Sequence, residues 1–338
     1  MLKSQWENRY KILIVVLIIL SSSFVTSVTS YNNSTFSAEP TGEIKVVTSI
    51  SIIADWAAEI GKGYFIPASI VTGSEDSHTF ELLAQDIQMI RDSDLFIIFG
   101  LEGLEPWVEN LLSPGHTINV LHLATEDMMI IDPVTEEPNP HVWMSPILAK
   151  TFVQNITEEI ILLNFDHQAE YEANRDAYLS ELDDLIAHIQ GETQFVGLKV
   201  VVHHPSFMYL LDLLGVERVG VIEEHEGSEP SAQHIGEIIE TMVAENVSII
   251  ITQPQIEEKM IFQIARDTNA KLAKLTPLLG LDDTDTYIKM IEYDILALQN
   301  PEDVEALGWI YGALIVGISF FSLTIAVISF FRFRRTNN

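Results

Sequence analysis

The chain has 338 residues, 47% of them apolar and 20% charged, with a formal net charge of −31 and no cysteine. That length can bury the core of one large or two medium domains, the missing thiols exclude disulfides and thiolate sites, and the negative charge disfavours nucleic acid and anionic membrane as partners. Any metal held by this chain is therefore held by nitrogen and oxygen.

In chain order, Lys3, Arg9 and Lys11 flank an apolar run from Ile12 to Leu20, followed by Ser21 to Ser23 and Val28-Thr29-Ser30. A basic region, a short apolar core and small residues read as a signal peptide or N-terminal anchor over 1–30. Residues 31–42, rich in Asn, Ser and Thr, read as a tether. Asn32, Asn33, Asn155 and Asn246 lie in sequons that matter only in a glycosylating host.

From residue 43 the pattern alternates short β-branched runs with stretches of helical period. Strands are expected at Ile44 to Thr48, Phe65 to Val71, Leu95 to Phe99 and Thr117 to Leu121, with helices at Ser51 to Ile60, Leu82 to Arg91 and Leu104 to Leu112. The rhythm returns with strands at Leu198 to Val202, Arg218 to Ile222, Ser248 to Thr252 and Lys271 to Leu275. Helices are expected near Phe207 to Leu214, Ala232 to Asn246, Ile256 to Thr268 and Asp285 to Gln299. This is an α/β fold of two four-stranded lobes, 43–165 and 191–300.

Between the lobes, Pro146 to Gln190 has no glycine and no interior proline, and Tyr171, Tyr178, Leu182, Leu185 and Ile189 recur at steps of three, four and seven. The segment should be helical with a break near Asn164 to Asp166, leaving a long, rigid connecting helix over 166–190 that resists hinge motion. Beyond the second lobe, Ala306 to Phe331 carries no charge and is long enough to cross a bilayer, and Arg332, Arg334 and Arg335 follow. The reading is a transmembrane helix over 306–331, a cytoplasmic tail over 332–338, and an extracytoplasmic domain between the two flanks. Twelve of the 18 basic residues but 48 of the 49 acidic ones fall in that domain, for a formal charge near −36. Such a field attracts divalent cations, and it also suits a plainly solvated surface.

Three histidines stand where an expected strand gives way to a loop: His78, His141 and His204. Neutral imidazole is a common ligand of borderline-soft divalent metals, so one site assembled from distant segments is expected. His116, His122, His167, His188 and His234 are read as surface or hydrogen-bonded residues, and His225, among Glu223, Glu224 and Glu226, as a solvated loop. His203 and His204 face opposite ways if the strand persists. Trp143 is expected to pack beneath His141 in the cleft wall.

These segments resemble the zinc/manganese solute-binding proteins of ABC importers. The resemblance rests on Gly73-Ser74-Glu75-Asp76-Ser77-His78-Thr79-Phe80-Glu81 followed by Asp86-Ile87, on Gly100-Leu101-Glu102-Gly103 before Trp107, and on Asn139-Pro140-His141-Val142-Trp143-Met144-Ser145-Pro146. Further along come Tyr171-Glu172-Ala173-Asn174, His204-Pro205-Ser206-Phe207, Glu229-Pro230-Ser231 and Gln253-Pro254-Gln255. It implies two lobes bridged by a rigid helix, with Zn2+ or Mn2+ in the interlobe cleft on His78, His141 and His204, the motif selecting His204 over His203. It also implies an ABC permease in the same membrane as partner, and a monomer is expected.

The chain departs from the pattern in places. Asp76-Ser77-His78 and Asn139-Pro140-His141 stand where the family usually has Asp-Pro-His. Many members draw a fourth ligand, an aspartate, from the loop after the last strand, where this chain has Thr276. Asp282, Asp283 or water is left to complete the shell. The histidine-rich acidic loop of some zinc carriers is missing: Glu126 to Asn139 contains no histidine. Two other readings use the same residues. A membrane-anchored zinc hydrolase needs a general base, for which Glu75 or Asp76 would serve, but no His-Glu-x-x-His motif is present; a cell-surface adhesin on the same fold needs an exposed apolar patch.

Overall fold

The computed structural model describes residues 44–304 except 74, 109–110, 112–117, 224–228, 256–258 and 281–283. The signal or anchor at 1–30, the tether, the membrane helix at 306–331, the tail, His116, His225, Asp282 and Asp283 lie outside the described residues. Among the described residues no helix is long and apolar enough to cross a membrane.

Two four-stranded parallel sheets organise the chain. The first contains β1 (Val46–Ile50), β2 (Ala68–Val71), β3 (Leu95–Ile98) and β4 (Val120–His122), in the order β2-β1-β3-β4. Every residue of β1 and β3 is buried, as expected of strands covered on both faces by helices. α1 (Ser51–Ile60) follows β1 directly and buries Ile52, Ile53, Trp56, Ala57 and Ile60, a stripe at steps of three and four. α2 (Ala84–Arg91) leads into β3.

A small hairpin, β5 (Ile130–Ile131) with β6 (Pro138–Asn139), then turns the chain toward the second half. It was not anticipated, because two-residue strands are too short to show a period. The helix expected over Leu104 to Leu112 forms turns at 102–104 and 106–108 instead, and residues 109–110 and 112 lie outside the described set. The reason lies at its start, where Gly103 adopts a left-handed φ of 79° and buried Glu105 turns back onto the Gly100 amide at 2.9 Å.

α3 (Pro146–Leu163) starts cleanly: Ser145 caps it by accepting the Leu148 N–H, and Pro146 occupies the first turn, where no donor is needed. After a break at Asn164, whose side-chain amide donates to the Tyr171 hydroxyl at 3.1 Å, a short turn leads into α4 (Gln168–Gly191). α4 has 24 residues, about 36 Å at 1.5 Å per residue, and buries Tyr171, Tyr178, Leu182, Leu185 and Ile189.

The second sheet repeats the winding of the first. β7 (Lys199–Val202), β8 (Glu217–Val221), β9 (Ile249–Thr252) and β10 (Lys271–Lys274) lie in the order β10-β9-β7-β8. α5 (Met208–Leu214), α6 (Ala232–Ala244) and α7 (Lys259–Thr268) make the connections, and α8 (Tyr287–Gln299) follows β10. In each sheet the order reverses direction, between β1 and β3 and between β7 and β9. The crevice beyond the carboxyl ends of strands at such switch points is where open α/β sheets receive ligands.

Candidate metal centre

The three histidines converge at that crevice. His78 lies on the loop after β2, His141 two residues after β6, and His204 two residues after β7. Nε2 of His141 is 3.2 Å from Nε2 of His78 and 3.1 Å from Nε2 of His204. His141 and His204 are buried and His78 is half-buried.

Each ring is held from behind. His78 Nδ1 donates to the Gly103 carbonyl at 2.8 Å, His141 Nδ1 to Asn139 Oδ1 at 2.9 Å, and His204 Nδ1 to the Glu223 carboxylate. All three partners are acceptors, so the proton resides on Nδ1 and the Nε2 lone pairs face one another. The Asn139 amide has no freedom to flip, because its Nδ2 donates to the Pro205 carbonyl at 2.9 Å while its Oδ1 also accepts the His141 N–H at 3.0 Å. Burial, with the charges of His204, His78 and Arg218 adding to it, holds the His141 pKa well below 6.5, so this ring stays neutral.

Three inward-facing lone pairs within 4.8 Å of one another, with His141 Nε2 3.1–3.2 Å from each of the other two, repel unless a cation lies among them. Zinc at about 2.0–2.1 Å from each of four ligands sets its nitrogens about 3.3 Å apart, so the spacing fits a tetrahedral ion. The space is about 20 Å³, lined also by Asp76, Gln253, Gln255, Pro277 and Leu278. One water needs roughly 10–15 Å³, so the chamber admits an ion and a water.

The walls come from both halves of the chain and are close-fitted. Trp143 stacks on Phe99, lies 5.2 Å from the His141 ring and donates its indole N–H to the Pro277 carbonyl at 2.7 Å. Gly73 has φ +119°, and a Cβ there would stand 1.5 Å from the Leu279 carbonyl, so only glycine lets the His78 loop meet the loop after β10. A larger cavity of about 450 Å³ opens beside His141 and Glu223 between the hairpin and α6.

The remaining candidates stand apart from the cluster. His203 is buried and is not part of the cluster, and burial above all brings its pKa down to about 4. His122 is exposed, His167 stacks on Tyr64 at 4.2 Å, His188 pairs with Glu192, and His234 Nε2 donates to the Val221 carbonyl at 2.9 Å. Thr276 is not part of the chamber wall; its hydroxyl donates to the Leu278 carbonyl at 2.7 Å, so it offers no ligand in place of the family's aspartate. Sequence reasoning missed Gly103, Glu223 and Gln255. Gly103 and Gln255 were visible only as parts of the family motifs, with no role assigned, and Glu223 only as a carboxylate just beyond an expected strand.

A two-sheet α/β protein with a buried three-imidazole chamber at its switch points defines a class of metal-binding proteins. The family model for the zinc-uptake complex component A, periplasmic, matches residues 46–300, and the chain belongs to this family. It is 25% identical over 285 residues to the zinc-binding lipoprotein AdcA of Streptococcus pneumoniae, covering 78% of this chain and 57% of that relative, so it spans little more than half of AdcA. It is 26% identical over 307 residues to the high-affinity zinc uptake system protein ZnuA of Bacillus subtilis, covering 84% of this chain and 96% of the other. Among solved structures, a mutant of the laminin-binding adhesin Lmb of Streptococcus agalactiae superposes with a TM-score of 0.67 at 26% identity, covering 75% and 98% of the two chains.

Proposed function

We propose that this protein captures a divalent transition metal, zinc in the first place, outside the cell membrane and delivers it to an ABC-type permease in the same membrane. The observation that carries this reading is the convergence of His78, His141 and His204 Nε2 with each Nδ1 already committed. The three imidazoles are the ligands. Zinc suits three imidazoles and one oxygen, whereas manganese prefers oxygen-rich, higher-coordinate sites, and Thr276 supplies no carboxylate. The names of AdcA and the Bacillus subtilis protein support zinc as cargo.

The protein acts as a monomeric carrier, not an enzyme. A site of about 20 Å³ leaves little room for a peptide or ester beside the ion, which weighs against the hydrolase reading. The adhesin reading draws on the likeness to Lmb and is tested by binding to immobilised laminin. A helix over 306–331 anchors the carrier with its C-terminus inside, and the lobes 43–165 and 191–300 outside, joined by the helix 166–190. Sharing a membrane with the permease raises their effective concentration without a new contact. Protease added to intact cells should digest the domain and spare a C-terminal tag; loss of the tag would reverse the orientation.

Calorimetry of the purified protein should show one zinc bound, with affinity falling as the pH falls, because imidazole must be neutral to ligate. The sign follows from His141. Its folded-state pKa lies below the unfolded one, so protons favour the unfolded chain and oppose the metal as pH falls. Zinc affinity unchanged down to pH 4.5 would remove imidazole from the shell.

A further inference from the structure

The sequence leaves the fourth position of the shell to Asp282, Asp283 or water. The chamber wall offers another participant. Gln255 lines the chamber from the loop after β9, and its Nε2 donates to the Gly73 carbonyl at 3.0 Å and meets the Thr276 hydroxyl at 3.3 Å. A backbone carbonyl only accepts, so the amide cannot be flipped and Oε1 is fixed on the other side. Oε1 is buried and has no hydrogen-bond partner among the described residues. A buried amide oxygen without a partner is costly, which favours a donor brought by a ligand.

Several other oxygens around the chamber are engaged. Asp76 Oδ1 accepts the His78 N–H at 2.9 Å, and Gln253 Oε1 accepts the Ser206 hydroxyl at 3.0 Å. The Pro277 carbonyl holds the Trp143 indole, and the Ser77 carbonyl accepts the Trp107 indole at 3.2 Å. An amide oxygen is a weaker zinc ligand than a carboxylate or imidazole, but it is a good acceptor for a metal-bound water, whose protons are made acidic by the ion. The chamber has room for that water beside the ion.

Resting on the three-histidine reading, we propose that Gln255 positions the fourth ligand: its Oε1 accepts the hydrogen bond of the water that completes the zinc shell. Gln255 is thereby a positioning residue that tunes metal affinity from the second half of the chain.

The test separates the acceptor from the bridge to Gly73. Gln255→Met removes both, whereas Gln255→Glu keeps an acceptor oxygen and loses the Nε2 donor. Zinc titration of the full-length protein should show a loss of about 10–100-fold for Gln255→Met and a much smaller loss, or a gain, for Gln255→Glu, with one ion bound throughout. In the Co2+-loaded protein, the pH midpoint of the visible spectrum should fall in Gln255→Met, because the amide oxygen holds the bound water, a stronger donor than hydroxide, and its loss eases ionisation. Gln255→Met within twofold of wild type, or equal losses in both variants with no spectral shift, would overturn the assignment while the three-histidine site stood. Wild-type protein that takes up neither zinc nor cobalt would overturn both.

Discussion

His141→Ala is expected to lower zinc affinity by about a hundredfold to a thousandfold while leaving the fold intact. Structural zinc sites bind with about 10–16 kcal/mol shared among four ligands, so one imidazole accounts for roughly 3–4 kcal/mol, and each 1.4 kcal/mol is tenfold. His141 is the choice because its Nε2 is the one within 3.2 Å of both other rings. Removing a buried ring next to Trp143 also opens a small cavity, so the fold is checked separately by circular dichroism. His234→Ala serves as the control, since its ring donates to the Val221 carbonyl and lies outside the three-histidine cluster. Calorimetry in which His141→Ala and His234→Ala bind zinc equally would remove His141 from the site.

The strand and helix alternation was legible because parallel strands buried on both faces are continuous apolar runs, as in Val46–Ile50 and Ile249–Thr252, and the helices carry one apolar stripe. The three histidines were legible as loop residues beyond strands, and His204 was separable from His203 only through motif likeness. What holds the rings was not. Gly103 acts through its carbonyl, which every residue type possesses, and Asn139 acts by joining Asp132, Pro205, Tyr209 and His141, residues far apart in sequence. Gln255 was visible only as part of a family motif, and its role was not, since an unpartnered oxygen exists only once the chain has folded around it. The hairpin was hidden for a related reason: it is held less by its own pairing than by contacts from the second half of the chain.

Those contacts make Arg218 the residue whose loss should cost most stability. Its Nη1 donates to Asp132 Oδ2 at 2.8 Å, and the two side chains are only 2% and 1% exposed. Asp132 also accepts the Val134 N–H at 2.8 Å, which shapes the hairpin, and Asn139 at the hairpin's end orients His141. Arg218→Met leaves the Asp132 charge buried without its cation, a defect of about 3–5 kcal/mol, or roughly 6–20 °C in Tm for a domain of this size. The double variant Arg218→Met, Asp132→Leu should recover most of that loss, because two apolar side chains carry no uncompensated charge. Burial pushes the Asp132 pKa up, but the Arg218 hydrogen bond, the Val134 amide and the Arg218 charge outweigh it and hold the carboxyl below 3.8. A depressed carboxyl pKa contributes stability above about pH 4 that is lost as pH falls further, so the single variant's deficit should shrink in acid. A calorimetric scan placing Arg218→Met within about 2 °C of wild type at pH 7 would show that the pair does not hold the hairpin. If the pair does hold it, zinc affinity should fall with stability in the single variant, because the amide that orients His141 loses its fixed neighbour at Asp132.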